Sequence, residues 1–207
     1  LQEIWESKLE PVYPYRKAGA NVEKIDGQLA APAAPKIGVA KPKVIIPVFP
    51  GTNCEYDTAK AFARAGADPE ILVIRNLTPA DVTASCEALV KAIDNSQIVM
   101  LPGGFSGGDE PDGSAKFIAS FFRSPAVTEA VRSLLQKRDG LMLGICNGFQ
   151  ALIKLGLVPY GKIIDTDESC PTLTYNIIGR HQSKLVRTRV SSNKSPWLAR
   201  TKVGQVY

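Results

Sequence analysis

The feature that most constrains what this chain can fold into is an alternation. Short apolar runs rich in β-branched residues, Val44 to Phe49, Ile71 to Ile74, Ile98 to Leu101 and Leu141 to Ile145, take turns with amphipathic stretches long enough for helices. Glu55 to Ala65 reads as a helix closed by Gly66. Thr78-Pro79 supplies an N-cap and a first-turn proline for a helix reaching about Asp94. A helix near Ala115 to Phe122 follows, then one opened by Ser124-Pro125 and running to about Arg138, and one from about Asn147 to Leu155 closed by Gly156. Strands separated by helices cannot pair through hairpins, so the expected architecture is α/β: an open, mostly parallel sheet with helices on both faces. Beyond Gly156 the alternation lapses. Leu173 to Ile178 and Lys184 to Val190 read as two strands with no helix between them, a hairpin near the sheet edge.

The first residues behave differently. Ile4, Trp5 and Leu9 have helical spacing, stopped by Pro11 and Pro14, and Leu29-Ala30-Ala31-Pro32-Ala33-Ala34-Pro35 has the composition of a semi-rigid linker. The expected division is residues 1–28 as the tail of a preceding domain, 29–42 as a Pro/Ala linker, and 43–207 as the main domain.

Charge and cysteine usage narrow the function. The net charge of +5 resides in the tail: after Glu168 there is no acidic residue, while Arg180, Lys184, Arg187, Arg189, Lys194, Arg200 and Lys202 all lie there. With two tryptophans in the chain and no aromatic-interleaved basic run, base stacking has little to work with, and no nucleic-acid partner is expected. The run Val44-Ile45-Ile46-Pro47-Val48-Phe49 falls far short of the roughly 20 apolar residues of a membrane-spanning helix. Cys54, Cys86, Cys146 and Cys170 form no CxxC pair and read as free thiols of a cytoplasmic protein, with no metal site.

Chemistry concentrates at strand ends. Gly144-Ile145-Cys146-Asn147-Gly148 places a thiol at a strand-to-helix turn between two glycines, the thiol counterpart of the hydrolase nucleophile elbow. A helix beginning directly after the sulfur presents backbone N–H groups to negative charge there. The Asn147 N–H is then a natural oxyanion donor. Gly103-Gly104, in the loop Pro102-Gly103-Gly104-Phe105-Ser106-Gly107-Gly108-Asp109 after another strand, offers a second donor at the Gly104 N–H. Each motif has a blander reading, a buried inert cysteine and a phosphate cradle or plain turn; the glycine loop lacks the Gly-Lys-Ser/Thr ending of a P-loop.

Three segments taken in order, Phe49-Pro50-Gly51-Thr52-Asn53-Cys54-Glu55, Leu101-Pro102-Gly103-Gly104-Phe105-Ser106 and Gly144-Ile145-Cys146-Asn147-Gly148-Phe149-Gln150, closely resemble the glutaminase domain of the phosphoribosylformylglycinamidine synthase family. The resemblance covers about Lys43 to Tyr207, and Trp5-Glu6 with Leu9-Glu10 resembles the closing helix of the synthetase portion in single-chain members. It implies class I glutamine amidotransferase chemistry on a flavodoxin-like sheet. Cys146 matches the nucleophile, Gly104 and Asn147 the oxyanion positions, and Gly103 and Gln150 glutamine-contacting positions. It further implies glutamine as substrate and a synthetase domain as partner, where ATP and Mg would activate formylglycinamide ribonucleotide; this piece itself would carry no cofactor.

One part of the family pattern is missing. Class I sites take a general base from a late His-Gly-Glu segment, whereas the one histidine here, His181, stands in Gly179-Arg180-His181-Gln182-Ser183 with no acid after it to orient its ring. The domain is therefore expected to be incomplete at its C-terminus, with negligible steady-state glutaminase activity. Two rivals stand beside this reading: a cysteine hydrolase or glyoxalase-like enzyme of the same sheet type, for which Glu55 is the available acid, and a non-catalytic module that binds a partner domain. Cys54 reads as structural; Cys86 and Cys170 carry no motif, and Asp109 and Asp112 read as helix-start or interface acids.

Overall fold

The computed structural model describes residues 38–106, 115–173 and 183–207, with a few isolated positions elsewhere. The chain forms two compact units, Lys36–Thr174 and a second made of Leu1–Pro35 with Tyr175–Tyr207. Most of the expected helix around Ile4 to Leu9, the linker as far as residue 37, half of Leu173 to Ile178, Asp109, Asp112 and His181 lie outside the described residues.

In the larger unit the elements follow in the order β1 (Lys43–Val48), α1 (Glu55–Arg64), β2 (Asp68–Val73), α2 (Pro79–Asp94), β3 (Ile98–Leu101), α3 (Lys116–Phe122), α4 (Pro125–Arg132), β4 (Leu141–Gly144), α5 (Asn147–Lys154) and α6 (Leu157–Tyr160). The sheet order is β2-β1-β3-β4, and every pairing is parallel. Side-chain alternation divides the core into two faces. Val44, Ile46, Ile98 and Met100 pack with Ala59 and Phe62 of α1. Ile45, Val99 and Leu101 pack on the other face with Leu89 and Ile93 of α2, Ile118 and Phe122 of α3, Val127 and Val131 of α4, and Leu152 of α5. The expected α/β sheet with helices on both faces is thus observed. Val44, Ile45 and Ile46 are fully buried, each contributing roughly 1.5–3 kcal/mol of hydrophobic stabilisation.

Local chemistry accounts for the boundaries. Pro47 has no N–H to donate, and the β1 ladder to β3 stops at Ile45 opposite Val99, two residues before it. β2 begins three residues earlier than its apolar run. Asp68, Pro69 and Glu70 are poor strand formers but are tolerated at an edge, where half-buried Lys43 pairs with Glu70 at 3.4 Å. At the start of α2 the Thr78 hydroxyl accepts the Asp81 N–H at 3.1 Å. The Asp81 carboxylate in turn accepts the Thr78 N–H at 3.2 Å, a capping box.

The helix expected to run from Pro125 to Arg138 is α-helical only to Arg132 and continues as a π-helical turn over Ser133–Lys137. Ser124 caps it with no side-chain hydrogen bond; its hydroxyl lies 3.4 Å from the Cys86 sulfur instead. The wider turn ends where Arg138 reaches the C-terminal carbonyls of α2, donating to Ile93 at 2.8 Å, Asp94 at 3.0 Å and Ser96 at 2.8 Å. A cation there satisfies carbonyls that the helix leaves unpaired.

In the smaller unit, Lys184 to Val190 is not a regular strand, which corrects that expectation. It makes one antiparallel bridge, Arg189 to Val206. The Thr188 N–H donates to the Tyr207 carbonyl at 3.0 Å and the Tyr207 N–H to that of Thr188 at 2.9 Å. Gly204, at φ 87°, donates to the Val190 carbonyl at 2.8 Å and so turns the last residues back alongside it. Thr78→Ala should lower stability by about 1 kcal/mol in urea unfolding, and Arg138→Ala by about 2 kcal/mol, since it strips a charged donor from three carbonyls.

Candidate active site

Three loops leave the carboxyl ends of β1, β3 and β4. β1 lies between β2 and β3, so the connections leaving β1 and β3 run to opposite sides of the sheet, the topological switch point at which open α/β sheets form their sites. After β1, Pro50-Gly51 makes a tight turn: Gly51 has φ 86° and the Thr52 N–H donates back to the Phe49 carbonyl at 2.9 Å, the arrangement of a type II turn. The turn lays Gly51 to Asn53 antiparallel to Gly103 to Phe105. The Asn53 N–H donates to the Gly103 carbonyl at 2.9 Å and the Phe105 N–H to that of Gly51 at 2.8 Å. Gly104, bridged to Thr52 between these bonds, has its N–H directed away from the partner segment. A Cβ on Gly104 would collide with the Gly51 carbonyl and lie 2.7 Å from the Thr52 Cα, so only glycine fits.

Cys146 forms the elbow. Its φ of 53° and ψ of −111° lie outside the regions open to ordinary L-residues, a conformation that costs about 1–3 kcal/mol. The glycines on either side make it possible. A Cβ on Gly148 would strike the Leu101 carbonyl at the end of β3, and one on Gly144 would lie 2.6 Å from the Gly148 carbonyl oxygen. The thiol is exposed. The Asn147 N–H, first in α5 and so without an intrahelical acceptor, makes no hydrogen bond among the described residues, and neither does the Gly104 N–H.

The Asn147 side chain has a role that its position in the motif did not announce. It is 2% exposed. Its Oδ1 accepts the Ser106 N–H at 3.1 Å, and its Nδ2 donates to Gln150 Oε1 at 3.0 Å. One buried carboxamide thus ties the glycine loop to α5 and orients Gln150. A buried-looking asparagine with a glutamine three residues on was the available signal.

A cleft of about 350 Å³ opens over these loops, lined by Cys146, Ile145, Gly103, Gly104 and Phe105 together with Asn53, Cys54, Asp57, Thr58 and Ala61. A Cβ on Gly103 would sit 3.5 Å from the Cys146 Cβ and 4.0 Å from the Cys54 sulfur, so both thiols flank the same strip of backbone. The structure therefore brings Cys146, Gly103 and Gly104 into one cleft, with Asn147 and Gln150 joined to it through the Ser106 contact. It places Cys54, on the loop that follows β1, in the same cleft and adds the α1 face of Asp57, Thr58 and Ala61, which sequence spacing did not single out. Glu55, the acid on which a glyoxalase-like reading rests, is not among the lining residues. Among the described residues no three His, Cys, Asp or Glu side chains cluster as metal ligands, and no helix is long and apolar enough to cross a membrane.

Residues 41–207 match the CobB/CobQ-like glutamine amidotransferase domain. The chain belongs to this amidotransferase family. Its curated relatives include the phosphoribosylformylglycinamidine synthase subunit PurQ of Dehalococcoides mccartyi, 35% identical over 146 residues, which cover 70% of this chain and 51% of that protein. The subunit PurQ of Rubrobacter xylanophilus is 34% identical over 163 residues, 79% of this chain and 60% of that protein. The chain spans about half the length of the curated relatives it matches. Among solved structures, PurLQS from Thermotoga maritima superposes with a TM-score of 0.55 at 25% identity, covering 81% of this chain and 64% of that one. The parallel α/β sheet read from the strand–helix alternation is thus shared with PurLQS, and the amidotransferase resemblance carried by the three glycine- and cysteine-containing segments is borne out.

The fit of α5 against β3 predicts that Gly148→Ala, which drives a methyl into the Leu101 carbonyl, destabilises the amidotransferase by about 3 kcal/mol in urea unfolding. Iodoacetamide should then alkylate Cys146 at a changed rate even under conditions where the variant remains folded.

Proposed function

We propose that this chain is the glutaminase part of a phosphoribosylformylglycinamidine synthase and that Cys146 is its nucleophile. The observation that carries this reading is the strained, exposed Cys146 in one cleft with Gly104. Two N–H groups, of Gly104 and Asn147, are without acceptors among the described residues. A thiolate at this position attacks the side-chain carboxamide carbon of glutamine, and the carbonyl electrons move onto oxygen. The Gly104 and Asn147 N–H groups stabilise that oxyanion, an arrangement whose individual donors are typically worth about 3 kcal/mol in the transition state.

Collapse of the tetrahedral adduct breaks the carbon–nitrogen bond once the nitrogen has gained a proton, releasing ammonia and leaving a γ-glutamyl thioester on Cys146. Water adds to the thioester carbonyl, and glutamate and the free thiol are regenerated. Gly103 contributes backbone against which the substrate's side chain passes, and Gln150, held by Asn147, orients the bound amino acid. The two proton transfers require a general base, for which His181 lacks an acidic partner in the sequence that follows it.

The whole-enzyme reading extends this to ATP-dependent ligation. Ammonia from Cys146 passes to a synthetase part that uses ATP and Mg to convert formylglycinamide ribonucleotide to formylglycinamidine ribonucleotide in de novo purine synthesis. The PurQ relatives are named as synthase subunits, which supports the pairing with a separate or fused synthetase. No residue of this chain is assigned to ATP or Mg. The division into a synthetase tail, linker and amidotransferase domain at residues 1–28, 29–42 and 43–207 belongs to the same proposal.

A diazoketone analogue of glutamine should label the wild-type chain once, on the Cys146 peptide, as read by mass spectrometry; Cys146→Ser should abolish the labelling and Cys170→Ser should leave it unchanged. Labelling distributed over the exposed thiols without preference for Cys146 would overturn the assignment.

A further inference from the structure

Among the described residues that line the cleft over Cys146, Asp57 is the only carboxylate, and none is a lysine or arginine. Asp57 lies in the first turn of α1 and shares a helix face with Thr58 and Ala61, which line the cleft beside it. Its neighbour Glu55 does not line the cleft. Asp57 is exposed, and among the described residues no ion pair or hydrogen bond engages its side chain. Asp81, at the start of α2 beyond the same end of the sheet, is already paired with Arg75 at 3.7 Å.

Free glutamine carries an α-ammonium group that simple carboxamides lack. When its side-chain carbonyl carbon sits at Cys146, that ammonium lies in the same cleft, and a carboxylate is the group that pairs with it through a charge-assisted hydrogen bond. We infer that Asp57 is a specificity-determining residue that binds the α-ammonium group of the substrate amino acid, selecting free glutamine over carboxamides without an α-amine. The inference rests on the glutaminase reading of Cys146 and adds to it the group that recognises the substrate's far end. A purely structural Asp57, placed to suit the positive end of α1, would affect stability and leave this selection untouched.

The test compares two electrophiles with the same chloroketone warhead, one carrying the α-amino group of glutamine and one lacking it, with iodoacetamide as a reagent blind to both. Rates of modification at Cys146 are read by peptide mass spectrometry on the full 207-residue chain. In the wild type the amine-bearing reagent should react about tenfold faster than its des-amino counterpart. Asp57→Asn and Asp57→Ser should each remove that preference, while the des-amino and iodoacetamide rates stay within about twofold of wild type; Asp57→Glu should restore part of it. Retention of the full preference in both neutral variants, with unchanged iodoacetamide rates, overturns the role of Asp57 and leaves the glutaminase reading standing. A wild-type chain in which neither chloroketone favours Cys146 over the exposed Cys54 overturns both.

Discussion

The site depends on one close approach. α5 lies so tightly against the end of β3 that position 148 has no room for a methyl group beside the Leu101 carbonyl. This approach draws the chain from β4 into α5 within two residues, and the second of them, Cys146, takes up a backbone conformation that side chains ordinarily avoid. A strained residue persists only where its surroundings over-determine it. Here they do: β4 is fixed by four parallel pairings to β3, the Ile145 N–H is held by the Leu101 carbonyl at 3.1 Å, and Leu152 of α5 is buried in the core.

The second constraint is the zip between the loops after β1 and β3. Gly51 and Gly104 each occupy space that the other loop's backbone would otherwise deny to a side chain, so the two glycine motifs are one structural device. Its consequence is electrostatic. Bonds at Asn53 and Phe105 fasten the loops on one side and leave the Gly104 N–H directed elsewhere; the buried Asn147 carboxamide then fastens Ser106 to the elbow. Three strand ends far apart in sequence thereby hold two donors and a sulfur together, with preorganisation supplied by the core rather than by the substrate.

Much of this was legible in the sequence because its causes are local. The period of the apolar runs, the Thr78-Pro79 cap and the glycines around Cys146 are demands that the backbone makes on neighbouring residues, so they are written at neighbouring positions. What escaped was tertiary. Asp68 and Pro69 enter β2 only because β1 offers an edge, and the π-helical turn after Arg132 leads to Arg138 and its contact with carbonyls more than forty residues earlier. Lys184 to Val190 has strand propensity, but its partner proved to be the last residues of the chain. The Asn147 clamp and the α1 wall of the cleft escaped for the same reason: nothing in the spacing of Asp57 and Cys146 reveals that a parallel sheet brings them to one opening.

On the function proposed above, the elbow and the glycine loop form a single oxyanion hole. That arrangement is tested most directly by a crystal structure of the chain with Cys146 alkylated by a glutamine-shaped chloroketone. The expected structure has a ketone oxygen within about 3.0 Å of both the Gly104 and the Asn147 nitrogens, with the loops otherwise unmoved. A ketone oxygen turned to solvent, with either N–H bonded instead to a protein acceptor, would contradict it.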